Sequence, residues 1–77
     1  MHLYFYNSNA ILVVNPQGLI RVLYCPFRVQ CINPINHIPT NMWVYVEEVL
    51  HTKEDELLYQ ICGQVYPYSN FKIEVNF

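Results

Sequence analysis

The run Met42-Trp43-Val44-Tyr45-Val46-Glu47-Glu48-Val49-Leu50 constrains the fold more than any other part of the chain. Aromatic and β-branched residues fit a pleated, half-buried surface. Alternation places Val44 and Val46 on one face and Trp43 and Tyr45 on the other, the pattern of a central strand with apolar contacts on both sides. Past Glu47 and Glu48 the phase slips, since Val49 is out of step with Val44 and Val46. A bulge or bend produces such a slip by re-aiming the side chains. A bent strand of this kind predicts a small closed sheet.

The chain is short enough that its apolar content becomes a statement about its surface. With 77 residues it makes one domain, near the lower size at which a single core holds without a metal, disulfide or partner. It is 53% hydrophobic and 13% charged, where ordinary soluble domains run at about 45–50% and about 25%. So small a core cannot take up every tyrosine, phenylalanine and isoleucine. An outward apolar patch is expected, and with it a protein partner or a homo-oligomer.

Charge argues against long-range attraction to a polyanion, because the formal net charge is −2 and the sequence pI about 5.8. Nucleic acid is therefore disfavoured as a partner. The charges are also segregated: Arg21 and Arg28 stand alone before position 40, whereas five of the six acids fall between Glu47 and Glu56. A solvated strand end and loop accounts for that acidic group better than a docking site does. The first nine residues lack a positive n-region and have four apolar residues before a polar break, which is no signal peptide. No stretch approaches the roughly 18 apolar residues of a membrane span. A reducing cytosolic setting fits best.

Taken in order, residues 3–6 and 10–14 flank the turn Asn7-Ser8-Asn9, and read either as a strand hairpin or as a short helix. Asn15-Pro16-Gln17-Gly18 is a clear turn. The expected organisation is thus an N-terminal extension, residues 1–18, followed by a barrel over 19–77. Residues 19–25 alternate, with Ile20, Val22 and Tyr24 on one face and Leu19, Arg21, Leu23 and Cys25 on the other. Pro26 should interrupt the ladder, and residues 27–32 resume it with Phe27, Val29 and Cys31 on one face. The stiff connector at 33–41, with two prolines and three asparagines, is a candidate binding loop, though a plain connector across a barrel end explains it as well.

Residues 51–63 support two readings. Thr52 with Asp55 matches a capping box, acids crowd the first turn, and Leu57, Leu58 and Ile61 share a helical face, so a helix over 53–62 would make the fold α+β. The preferred reading is a polar turn at 52–56 and a strand at 57–62 forming a hairpin with the Trp43 run, because alternation continues through Gly63 to Tyr66. A turn at 66–71 and a last strand at 72–77, with Ile73 and Val75 on one face, complete the chain.

The order Val29-x-Cys31-Ile32, Val44-x-Val46, Leu58-Tyr59-x-Ile61, Gly63, then Tyr66-Pro67-x-Ser69-x-Phe71-x-Ile73 resembles small SH3-like barrel proteins of uncharacterised bacterial and phage origin. The resemblance covers residues 19–77 and implies a mostly β, antiparallel barrel of about five strands. It carries no catalytic residue across. The chain departs from peptide-binding SH3 domains in having no Ala-Leu-Tyr-Asp-Tyr run, no early acidic loop and no paired tryptophans, so proline-rich ligands are not implied.

Chemistry is sparse. There is no GxGxxG, P-loop, HExxH or GxSxG, and the adjacent Glu47 and Glu48 point to opposite faces of a strand, so an enzyme is not expected. Three cysteines cannot complete a set of bridges, and none has CxxC spacing. Cys25, Cys31 and His37, six apart, with Cys62 brought near by folding, are the best metal candidates. Small apolar core cysteines and a loop histidine explain the same residues more simply, so no metal or cofactor is expected. Cys62 could act as a nucleophile only beside a base and with partial exposure. The tyrosines weigh more: Tyr45, Tyr66 and Tyr68 with Trp43 fall in one half of the chain and form the candidate interaction surface, since aromatic residues with a polar tip are enriched at binding hot spots. The expected role is a non-catalytic protein interaction or regulatory module, with a nucleic-acid-binding accessory protein as the alternative.

Overall fold

The computed structural model describes residues 1–77 as nine strands: β1 (His2–Asn7), β2 (Ala10–Val14), β3 (Ile20–Tyr24), β4 (Phe27–Cys31), β5 (Trp43–Val46), β6 (Glu48–His51), β7 (Leu57–Ile61), β8 (Gln64–Pro67) and β9 (Phe71–Lys72). They form three antiparallel sheets, in the orders β1-β2-β3, β5-β4-β9 and β6-β7-β8. The chain is mostly β as the sequence predicts. Its sheets do not hydrogen-bond into one closed ring.

Asparagines set the turns of the first sheet. The Asn7 side chain accepts the Asn9 N–H at 2.8 Å, and Asn15 Oδ1 accepts the N–H groups of Gln17 and Leu19 at 3.0 and 2.9 Å. Such local side-chain acceptors stabilise tight reversals. Gly18, at φ +84°, supplies the left-handed residue that the second reversal needs. Of the two readings of residues 3–14, the hairpin is the one that forms. β2 is then the middle strand, with Ile11 and Val13 fully buried and Leu3 and Leu23 packed on the same core. Residues 1–18 thus contribute core side chains and a strand that pairs with β3.

In β4 the alternation holds as read, with Phe27, Val29 and Cys31 buried and Arg28 and Gln30 turned outward. The Trp43 run is not a central strand, however. It splits at Glu47 into β5, an edge strand of the second sheet, and β6, an edge strand of the third. The phase slip marks that split. Val46 and Val49 are both buried, which a flat strand cannot do for residues of opposite parity. The Glu47 N–H already donates to the Gln60 carbonyl at 2.8 Å, so the chain changes sheets within one residue.

The helix over residues 53–62 does not form. Thr52 does cap, but its hydroxyl accepts the N–H groups of Glu54 and Glu56, both at 3.2 Å, while the Asp55 N–H donates to the Thr52 carbonyl at 3.0 Å. These bonds close a tight turn, with Asp55 at φ +62°, in place of a first helical turn. β7 follows, with Leu57, Tyr59 and Ile61 buried in strict alternation. It reaches β8 through Cys62 and Gly63, whose φ values of +50° and +77° are those of a type I′ hairpin turn.

The expected last strand at 72–77 shrinks to Phe71 and Lys72, which pair with Cys31 and Gln30. The antiparallel register would set residues 73–75 beside Val29, Arg28 and Phe27, yet the pairing stops at Lys72. Ile73 and Val75 still pack against the core from the extended tail. At the centre Phe27 meets Tyr59 edge-on, with centroids 5.7 Å apart, and Phe71 joins Tyr59 and Tyr66 at 6.1 and 6.2 Å. The edge-to-face pairs, Phe27–Tyr59 and Tyr66–Phe71, add about 0.5–1.5 kcal/mol each beyond area burial.

Candidate interaction surface

Directly opposed residues on paired strands share a face. In the first sheet the pairings Tyr4↔Leu12, Leu12↔Val22, Val14↔Ile20 and Ala10↔Tyr24 therefore collect Tyr4, Leu12, Val14, Ile20, Val22 and Tyr24 on the side away from Ile11 and Val13. Ile20 and Tyr24 are 61% and 62% exposed, values far above those of core residues. This outer face carries no Lys, Arg, Asp or Glu, and its one ionisable imidazole is His2, opposite Val14 at the end of the face with its ring centroid 6.5 Å from that of Tyr4; Arg21, opposite Val13, belongs to the other side. Monomeric proteins rarely leave so continuous an apolar sheet face in water without a use for it. The alternation of Ile20, Val22 and Tyr24 was the sequence signal for it, but nothing in the sequence said that this side of β3 would be the uncovered one.

The candidate quartet of Trp43, Tyr45, Tyr66 and Tyr68 is distributed over three environments. Trp43 and Tyr45 share the outer face of the second sheet, half-buried and exposed respectively, with the Arg28 guanidinium 4.3 Å from the Trp43 ring centroid. Tyr66 is withdrawn from the outer sheet faces: it is buried against Phe71, and its hydroxyl donates to Gln64 Oε1 at 3.2 Å. Tyr68 opens a 3₁₀ turn, Tyr68–Asn70, and borders a recess with Met1, Leu3 and Ile73, beside the N-terminal strand. Alternation along β8 turns Tyr66 inward opposite Tyr59, and the 3₁₀ turn re-aims Tyr68.

The connector at 33–41 folds back on itself through mutual backbone bonds between Ile35 and Ile38 at 3.1 and 2.9 Å, with Asn36 at φ +51°. Ile38 is buried, which pins the loop, and His37 and Met42 line an apolar pocket of about 280 Å³ with Cys62 and Tyr66. The proposed ligand cysteines stand apart in kind. Cys31 is a core residue whose thiol donates to the Asn33 carbonyl at 3.2 Å, Cys25 is half-buried and Cys62 is exposed. No three His, Cys, Asp or Glu side chains come together in a metal-binding group.

Burial also shapes the titrations. Desolvation pushes the Cys25 thiol above its ordinary range, and the nearby Glu48 carboxylate adds to the effect. The Tyr59 hydroxyl is raised well beyond the usual tyrosine range by desolvation first, then by Tyr68 and Cys25. The only ion pair is a weak His51–Asp55 contact at 3.8 Å. No helix is long and apolar enough to cross a membrane.

Comparison of the chain with protein-family models, curated proteins and solved structures finds no match.

Proposed function

We propose that the chain is a non-catalytic protein-interaction module whose docking face is the outer side of the β1-β2-β3 sheet, with a second copy of itself as the primary partner. The observation that carries this is the continuous apolar face formed by Tyr4, Leu12, Val14, Ile20, Val22 and Tyr24, which holds no Lys, Arg, Asp or Glu and meets an ionisable group only in His2 at its end. In a two-fold contact each side chain meets the same surface on its partner, so a face without charge avoids like-charge opposition. Five residues by three strands spans about 17 by 14 Å, the scale of small, reversible interfaces rather than obligate ones. β3 is an edge strand and can extend the contact by strand addition. The other edge, β1, leans on β6, with Phe5 and His51 ring centroids 4.3 Å apart.

An SH3-like closure belongs to the same reading, over residues 27–72 in place of the expected 19–77, because β3 pairs with β2 in the first sheet. Its support is that β5 and β6 make one bent passage serving two sheets, and that β9 returns to the first strand of that unit, β4, as closing a five-stranded meander requires. The three free cysteines suit a reducing, cytoplasmic compartment. Amide hydrogen exchange at low and high protein concentration tests the docking face. Added protection confined to β3 and its neighbours at high concentration supports it; unchanged exchange there, or protection gained only in the third sheet, contradicts it.

A further inference from the structure

The outer face of the second sheet carries chemistry that the protein contact does not use. The pairings Arg28↔Tyr45, Gln30↔Trp43 and Gln30↔Lys72 place Trp43, Tyr45, Arg28 and Lys72 on one side. The three strands of this sheet hold two cations and no acid; the acids nearest to them along the chain are Glu47, just past β5, whose carboxylate accepts the Gly63 N–H at 3.1 Å, and Glu74, two residues past Lys72. Neither cation is neutralised, since the one ion pair of the protein is His51–Asp55. The net charge of −2 is thus a sum over unlike regions. Screening beyond about 8 Å at physiological salt leaves the charges on the face itself to decide a contact.

We infer that this face binds single-stranded nucleic acid, stacking bases on Trp43 and Tyr45 and holding phosphates at Arg28 and Lys72. Sequence-tolerant single-strand binders combine aromatic platforms with cations in this way. The Arg28 guanidinium, 4.3 Å from the Trp43 centroid, is pre-positioned by the ring and keeps its N–H edge for a phosphate. Two residues apart on one strand, Trp43 and Tyr45 stand about 7 Å from each other, so each ring serves a separate base. An acidic peptide would satisfy the cations but leave both rings unused, which is why the nucleic acid is the better fit. Two phosphate contacts make the binding weak and set its salt dependence, a log K against log salt slope of about −1.4 for single strands.

Anisotropy of a labelled oligothymidylate, with quenching of Trp43, the only tryptophan, tests this in the intact chain. The expected result is saturable binding with the slope given above. Arg28→Ala should halve the slope to about −0.7, and Lys72→Ala supplies the same test if that variant does not fold. Tyr45→Ala removes a 60% exposed side chain from an edge strand, and should weaken binding roughly 5- to 150-fold with the slope unchanged. Absence of binding at low salt overturns the inference. So does competition by dextran sulfate as effective as that by the oligonucleotide, which would mean a bare anion site, or tighter binding of polyglutamate, which would point to an acidic protein.

Discussion

The Val49 N–H donates to the Ser8 carbonyl at 2.9 Å, joining the turn of the first hairpin to the strand that opens the third sheet. A second bond, from the Cys25 N–H to the Asn9 carbonyl at 2.8 Å, carries the β2–β3 ladder one step further and ties the same turn to the segment that leads into β4. Held there, the first sheet spends its inner face, Ile11 and Val13, on the common core. Its outer face is left in water, and that division is the basis of the functional reading.

If the first sheet is part of the core, Ile11→Ala should cost about 2–5 kcal/mol of stability, as truncations at fully buried sites do. Ile20→Ala, on the exposed side of the same sheet, should stay within about 0.5 kcal/mol for the isolated chain. Urea unfolding at low protein concentration measures both. An Ile11→Ala cost as small as that of Ile20→Ala would mean that the N-terminal hairpin only leans on the rest.

The raised Tyr59 predicts an alkaline limit to stability. Its folded-state proton is held more tightly than the unfolded one, so its contribution is complete below the unfolded pKa of about 10 and is lost as pH rises from there toward the folded value. Stability of the parent should therefore fall faster than that of Tyr59→Phe above about pH 10, by up to roughly 1.4 kcal/mol per pH unit. Denaturant melts of the two proteins across that range compare them. Parallel curves would show that Tyr59 ionises as freely folded as unfolded.

Much of this architecture is legible in the residues themselves. Phe27, Val29 and Cys31 alternate with polar partners and are buried as that pattern requires, and the slip between Val46 and Val49 marks the change of sheet. Other stretches are ambiguous for identifiable reasons. Residues 10–14 are apolar on both faces, so no period separates strand from helix, and Thr52 offers the same capping hydroxyl to a tight turn as to a helix. Trp43 and Tyr45 looked two-sided in burial, yet they lie on an edge strand beside Arg28. The site suffered most: proximity along the chain grouped Tyr66 with Tyr45, while strand parity sends one inward and the other to solvent. The docking face depends on which side of β3 the core covers, a tertiary fact absent from any local pattern.

The β7–β8 turn places Cys62 at φ +50° and Gly63 at φ +77°. Asparagine tolerates the left-handed region better than other side chains, so Cys62→Asn should keep or slightly raise the melting temperature. Gly63→Ala meets no neighbouring atom, and should lose about 1–2 kcal/mol from backbone strain alone. Equal, negligible effects in thermal melts would mean that the turn relaxes without cost.

The three thiols should react in two classes. Cys62 is exposed, Cys31 is buried, and burial together with Glu48 disfavours the Cys25 thiolate, the reactive form. Titration with a disulfide reagent at neutral pH should give one fast equivalent that Cys62→Ser abolishes, the rest appearing only on unfolding. Three equally fast thiols would contradict the placement of Cys25 and Cys31.

The decisive measurement is sedimentation of the parent beside Val22→Lys, because a lysine at the centre of β3, next to Leu12 on the outer face, puts charge into an apolar two-fold contact without touching the core. The parent should dimerise reversibly and in a concentration-dependent way, and the Val22→Lys protein should be folded and strictly monomeric. A parent that stays monomeric at high concentration, or a Val22→Lys variant that associates as well as the parent, would contradict the proposed docking face.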